Sequence, residues 1–156
     1  MTGFRLVALP HDQLAPLFDL SDAELGAMHA RREIVDRTPG FPCRVSLADA
    51  EVGETVLLLP FVHHDVQGAY RASGPIYVRQ GAHTARPAAG EIPLMFRHRL
   101  LSLRAYDSAA TPVKASVVNG TELEAAIAAM FADQAVGYLH IHNAGPGCFN
   151  CLVERA

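Results

Sequence analysis

No stretch of this chain reaches the roughly 18 consecutive apolar residues that a helix needs to cross a bilayer, so nothing in it predicts a membrane span. A basic surplus is missing as well. Lysine and arginine number 13 against 16 acidic residues, for a formal net charge of −3. That balance leaves no electrostatic footprint for nucleic acid or for an anionic membrane surface. Cysteine is scarce and odd in number. Three residues leave one thiol unpaired in any intramolecular scheme, which argues against a disulfide framework and for a reducing compartment. The short apolar run before Pro10 is not followed by a long apolar segment and a small-residue cleavage site, so no secretory signal is read there, and the cytoplasm is the expected location. Internal repeats, low-complexity tracts and linkers are absent. So are a glycine-rich phosphate loop and a G-x-S-x-G nucleophile elbow.

What is present is an ordinary folding composition. Of 156 residues, half are apolar and 19% are charged, enough to bury a core in one domain spanning 1–156. Phe4 to Leu9 reads as a first strand, followed by a turn or short helix over 12–18. Ser21-Asp22-Ala23-Glu24 is a capping-box pattern that opens a helix carrying Leu25 and Met28. Thr38 to Pro42 breaks the chain. Alternation then predicts a strand over Cys43 to Leu47, and the apolar run from Glu54 to Val62 predicts a central strand buried on both faces. Pro75 to Arg79 reads as another strand, and Gln80 to Gly90 as a mobile surface loop.

Glu91 to Arg99 suits a short helix with Pro93 in its first turn. Leu100 to Tyr106 alternates cleanly, with Ser102, Arg104 and Tyr106 on one face. Val113 to Val118 is a further strand. Thr121-Glu122-Leu123-Glu124 repeats the capping-box pattern before the clearest helix, whose stripe is Leu123, Ala126, Ile127 and Met130. The chain closes with a hairpin: Gly137 to Asn143, a turn over 144–147, and Cys148 to Glu154. The sum is an α+β protein, with a mainly antiparallel, curved sheet and two or three helices.

The richest chemistry lies in that hairpin. Side chains alternate along a strand, so His140 and His142 share a face. Two imidazoles at a strand end suit acid–base chemistry, and with Cys148 they could hold zinc or another transition metal. Cys148-Phe149-Asn150-Cys151 matches C-x-x-C as a string. In a strand, however, its two thiols point to opposite faces and cannot share an ion. Cys148 follows Gly145-Pro146-Gly147, a position from which an exposed thiol can act as a nucleophile beside a histidine. Cys43, next to Arg44, is a second candidate thiol. His63 and His64, adjacent in a strand, should point to opposite faces, and solvation in a loop accounts for them.

Arginines supply the third element. Arg71 and Ser73 lie just before Gly74, and Arg104 shares a strand face with Tyr106. Guanidinium forks bind oxyanions in two-pronged fashion, so Arg71, Ser73, Arg104, Tyr106 and Asn143 form the expected ligand-binding set for a small anion, with His140, His142 and Cys148 as the catalytic candidates. Two other readings stand beside this one: a metal site built on His140, His142 and Cys148, and a non-catalytic structural or interaction domain.

Four segments carry a resemblance: 40–47 (GFPCRVSL), 70–79 (YRASGPIYVR), 100–107 (LLSLRAYD) and 140–148 (HIHNAGPGC). Together they resemble the bacterial domain-of-unknown-function family 1203, whose members are single domains of about this length. The resemblance implies no activity, substrate or cofactor. It does coincide with the segments singled out by their chemistry, and Cys151 falls outside them.

Overall fold

A computed structural model describes residues 3–156. Eight strands form two antiparallel sheets, and short helices cover them. The large sheet has the order β1-β8-β7-β5-β6, with β1 Phe4–Val7, β5 Leu100–Tyr106, β6 Pro112–Asn119, β7 Tyr138–Asn143 and β8 Phe149–Arg155. The small sheet has the order β2-β3-β4, with β2 Arg31–Ile34, β3 Thr55–His64 and β4 Ala72–Arg79. The α+β class expected from the sequence is the one observed, with the strands divided between two sheets.

One face of the large sheet makes the main core. Leu101, Leu103, Leu139, Ile141 and Val153 pack there against Leu123, Ile127 and Phe131 of α4 (Leu123–Phe131). Burying each such side chain is worth about 1.5–3 kcal/mol. Met95 and Phe96 of the single-turn helix α3 (Leu94–Arg97) join this cluster. Gly120 lets the chain entering α4 pass that turn, since a Cβ there would lie 1.7 Å from the carbonyl oxygen of Phe96. A second core lies between the small sheet and the N-terminal helices α1 (His11–Leu14) and α2 (Asp22–Ala27), through Leu14, Leu25, Leu57 and Ile76.

Several expectations are corrected. Residues 43–47 form a turn with isolated bridges at Pro42–Asp49 and Cys43–Tyr77, not a strand. The Leu47 amide donates back to the Cys43 carbonyl at 3.0 Å, and Leu47 has φ +50°, which ends extended pairing. The alternation there reflects packing: Cys43 and Val45 are fully buried in the second core and Leu47 in the first.

The capping box at Ser21 forms, with Ser21 Oγ accepting from the Glu24 amide and Glu24 returning to the Ser21 amide. The one read at Thr121 does not form. A 3-10 turn over Gly120–Glu122 delays the helix to Leu123, and the Glu124 carboxylate is taken by Arg97 instead. Strand β2 went unread in the sequence. It is a polar edge strand, Arg-Arg-Glu-Ile, with no apolar alternation to mark it. The 80–90 segment is irregular as expected, but it is anchored: Ala85 donates to the Val45 carbonyl, and Pro87 is buried.

Candidate functional site on the polar face of the large sheet

The face of the large sheet turned away from α4 is polar and aromatic, and strand register assembles it in rows. Tyr138 lies across from Tyr106 of β5; His140 lies between Arg104 and Leu152; His142 lies between Ser102 and Phe149. Directly paired residues on neighbouring strands carry their Cβ atoms about 5 Å apart. The 102/104/106 and 140/142 sets therefore meet on one face. Tyr138 belongs to the same parity and was legible by the same alternation.

The small sheet supplies the rest. β3 has an irregularity where Val62 pairs with Ser73 and His64 with Ala72, leaving His63 as an extra residue. Such a bulge breaks strict alternation and re-aims side chains. Both histidines consequently reach the polar face, which corrects the expectation that they point apart into solvent. His63 stacks on Phe149 (ring centroids 5.2 Å apart, 9° between planes) and meets His142 edge-on at 4.9 Å. His64 packs on Tyr106 at 4.3 Å and on His140 at 5.1 Å. Tyr106 and Tyr138 stack at 5.3 Å.

Burial sets the charge state of this cluster. His140 is 4% exposed and His142 wholly buried. Desolvation, with the neighbouring imidazoles and Arg104 adding to it, pushes the pKa of His140 down to about 3. Desolvation likewise takes His142 down to about 4, although its Nδ1 is 2.9 Å from the Gly147 carbonyl, a contact that favours the proton. His63 is lowered for the same reasons. These three rings are neutral near pH 7. Burial raises the phenols of Tyr106 and Tyr138, which stay protonated. Three buried ring nitrogens, His63 Nδ1, His140 Nδ1 and His142 Nε2, have no hydrogen-bond partner among the described residues.

Arg104 is the cation of the face. Its Nε donates to Ser102 Oγ at 3.2 Å, and among the described residues no carboxylate lies within ion-pair distance. Seven other arginines do hold carboxylates: Arg31, Arg32, Arg37, Arg71, Arg79, Arg97 and Arg99. Arg155 instead donates to the carbonyls of Phe131, Asp133 and Val136. Beside the cluster runs a groove of about 570 Å³, lined by His64, Tyr138, His140, Leu152, Glu154 and Arg155. Across the strand pair from Glu154 stands Arg5.

The remaining candidates lie elsewhere in the network. Arg71 is exposed and paired with Asp65, and Ser73 is exposed on β4 opposite Val62. The side chain of Asn143 is used within the β7–β8 hairpin: its Nδ2 donates to Cys148 Sγ at 3.1 Å and its Oδ1 accepts from Asn150 at 2.8 Å. Gly147, at φ +83°, closes that turn in the left-handed region glycine favours. Cys148 is partly exposed. Arg44, 1% exposed, holds the carbonyls of Phe149 and Pro42 at 2.7 and 2.6 Å. Burial pulls the pKa of Arg44 below its ordinary value, while the Cys148 and Cys43 thiols oppose that shift. Cys151 is buried in the main core, and burial drives its thiol pKa upward, so it shares no ion with Cys148. Among the described residues, no three His, Cys, Asp or Glu side chains stand in a metal-holding arrangement.

Fold and site together define an α+β protein with an imidazole- and phenol-lined sheet face, and no helix among the described residues is long and apolar enough to cross a membrane. The chain belongs to the DUF1203 family, described as a protein of unknown function, whose model matches residues 40–155. No curated protein and no solved structure matches it.

Proposed function

We propose that this protein binds a small anionic molecule on the polar face of the large sheet, with Arg104 as its anchor. The observation that carries this reading is the half-buried guanidinium of Arg104, without a carboxylate in a molecule where seven other arginines have one. An oxyanion supplies the missing charge and accepts two-pronged hydrogen bonds. Neutral His140, beside it across the strand pair, offers one donor and one acceptor and can orient the ligand or relay a proton. The groove next to the cluster is within the size range of small-molecule pockets.

The test is a thermal-shift panel of carboxylates, phosphates and sulfonates on the wild type and on Arg104→Met. Stabilisation by at least one class, lost in the variant, supports the reading. A panel in which no anion stabilises the wild type would sink it.

A transition-metal reading has one observation in its favour, the three unpartnered ring nitrogens of His63, His140 and His142. Those rings would have to turn for the nitrogens to converge, since no ready-made arrangement exists among the described residues. The Cys148 thiol already accepts from Asn143 Nδ2. Elemental analysis of untagged protein decides this: near one metal per chain, lost in a His140→Ala, His142→Ala variant, establishes the metal site, and metal-free protein removes it.

A further inference from the structure

Four strands border the two sheets, and three of those borders are closed off. β1 has four residues, and its Phe4 carbonyl accepts from the Gly90 amide on the outer side. β2, also of four residues, carries Arg31, Arg32 and Glu33. β4 contains Gly74 and Pro75, and its Tyr77 carbonyl accepts from the Arg44 amide. Short length, charge, proline and cover are the usual means of keeping a sheet edge from pairing with another chain. β6 has little of this. It runs for eight residues, its proline is the first of them, and its one charge, Lys114, is taken by Asp133 at 3.0 Å. Lys114, Ala115, Ser116 and Val117 are all exposed, so neither face of the strand is covered there.

Register fixes which backbone groups are free. Gly120 donates to the Arg99 carbonyl, and Leu101 pairs with Val118, Leu103 with Ser116 and Ala105 with Lys114. Bonded pairs recur at every second residue of an antiparallel ladder, so Lys114, Ser116 and Val118 turn their backbone toward β5. Ala115, Val117 and Asn119 turn theirs outward, where the N–H and C=O groups have no partner among the described residues. Val117 stands across from Ser102 and Leu100 across from Asn119, which puts both apolar side chains on the polar face, 62% and 54% exposed.

We infer that β6 is the docking edge for a second copy of this chain, paired antiparallel about a two-fold axis at Val117. In that register Val117 meets its own counterpart, and Ala115 and Asn119 meet each other. Every outward residue becomes a bonded one, with two hydrogen bonds for each of three pairs. The two exposed valines form a β-branched cross-strand pair, with Leu100 of each copy beside it. Lys114 falls opposite the counterpart of Gly120, so the two lysines do not oppose one another. The occupant that fits is one bringing the same row of free backbone groups and a valine at its centre, which the chain itself supplies. The axis runs perpendicular to the sheet, so the polar faces of the two copies join into one surface.

The test is sedimentation of the full chain over a concentration series. Wild type is expected to approach twice the 16.8 kDa chain mass. Val117→Pro removes an N–H that β5 does not use, at a position where an edge strand tolerates proline, and should sediment as a monomer with an unchanged circular dichroism spectrum. Val117→Lys sets two ammonium groups against each other on the axis and should also be monomeric; it decides the matter if the proline variant does not fold. Hydrogen exchange adds a local readout: the Ala115, Val117 and Asn119 amides should be protected in wild type and exchange freely in Val117→Lys. Wild type that stays monomeric at every concentration overturns the proposal. A dimer that survives in a folded variant overturns it too, as does a dimer whose three outward amides exchange freely.

Discussion

Neutral, buried histidines make stability depend on pH in a direction the structure fixes. The pKa of His140 falls to about 3 and that of His142 to about 4, from an ordinary 6.5. Below pH 6.5 the unfolded chain takes up protons at these positions that the folded protein refuses. Their stabilising effect is therefore complete above pH 6.5 and is lost as pH falls toward 4 and then 3. The slope is at most about 1.4 kcal/mol per pH unit for each ring. Urea unfolding at pH 7, 6 and 5, above the carboxylate range, should show the midpoint falling, and His140→Phe should flatten the trend. A midpoint unchanged from pH 7 to 5 would contradict the burial argument.

The thiols separate just as sharply. Cys43 and Cys151 are 0% and 1% exposed, whereas Cys148 is partly open. A thiol-exchange reagent should titrate one cysteine per native chain, and three once the chain is unfolded. That His140 and His142 share one face, as do Ser102, Arg104 and Tyr106, was legible from period two alone; that the two sets meet was not, because it depends on the pairing of β5 with β7. The engagement of Asn143 with Cys148 and Asn150 was not, because it depends on how the hairpin turn folds back.

At the scale of elements, identical sequence patterns have different outcomes. Ser21 and Thr121 both precede an acidic residue at the third position, yet only Ser21 closes a reciprocal cap. Ser21→Ala is accordingly expected to cost about 1 kcal/mol, and Thr121→Ala only a few tenths, measured by denaturant midpoints. Equal losses would show that the 3-10 turn before α4 does not persist in solution. The bulge in β3 is the other lesson. A one-residue slip between Val62 and His64 turns a plain run into two site-facing imidazoles, and nothing local in Phe61-Val62-His63-His64 announces it. Register belongs to strand pairs, so a single strand's sequence cannot declare a bulge.

Across the whole molecule, the α+β class was legible because seven of the eight strands carry apolar patterning or length. The division into two sheets was not, since sheet membership depends on pairings far apart in sequence. Leu9, just past β1, donates to the Arg44 carbonyl, and the Arg44 amide donates to Tyr77 on β4, stitching the 42–49 turn between the sheets.

The order of strands has a consequence for the two chain regions. β1 forms one border of the large sheet and β2 one border of the small sheet, and both come from the segment before residue 40, outside the span matched by the family model. That segment works as selvedge, finishing the rim of each fabric. Cut away, it would bare the backbone donors and acceptors of β8 and β3, which are interior strands rich in apolar residues. A chain starting at residue 40 is thus expected to keep every residue of the polar face and still self-associate, appearing as large species in size-exclusion chromatography. Elution of that truncated chain as a well-behaved monomer would show that the outer strands are dispensable trim.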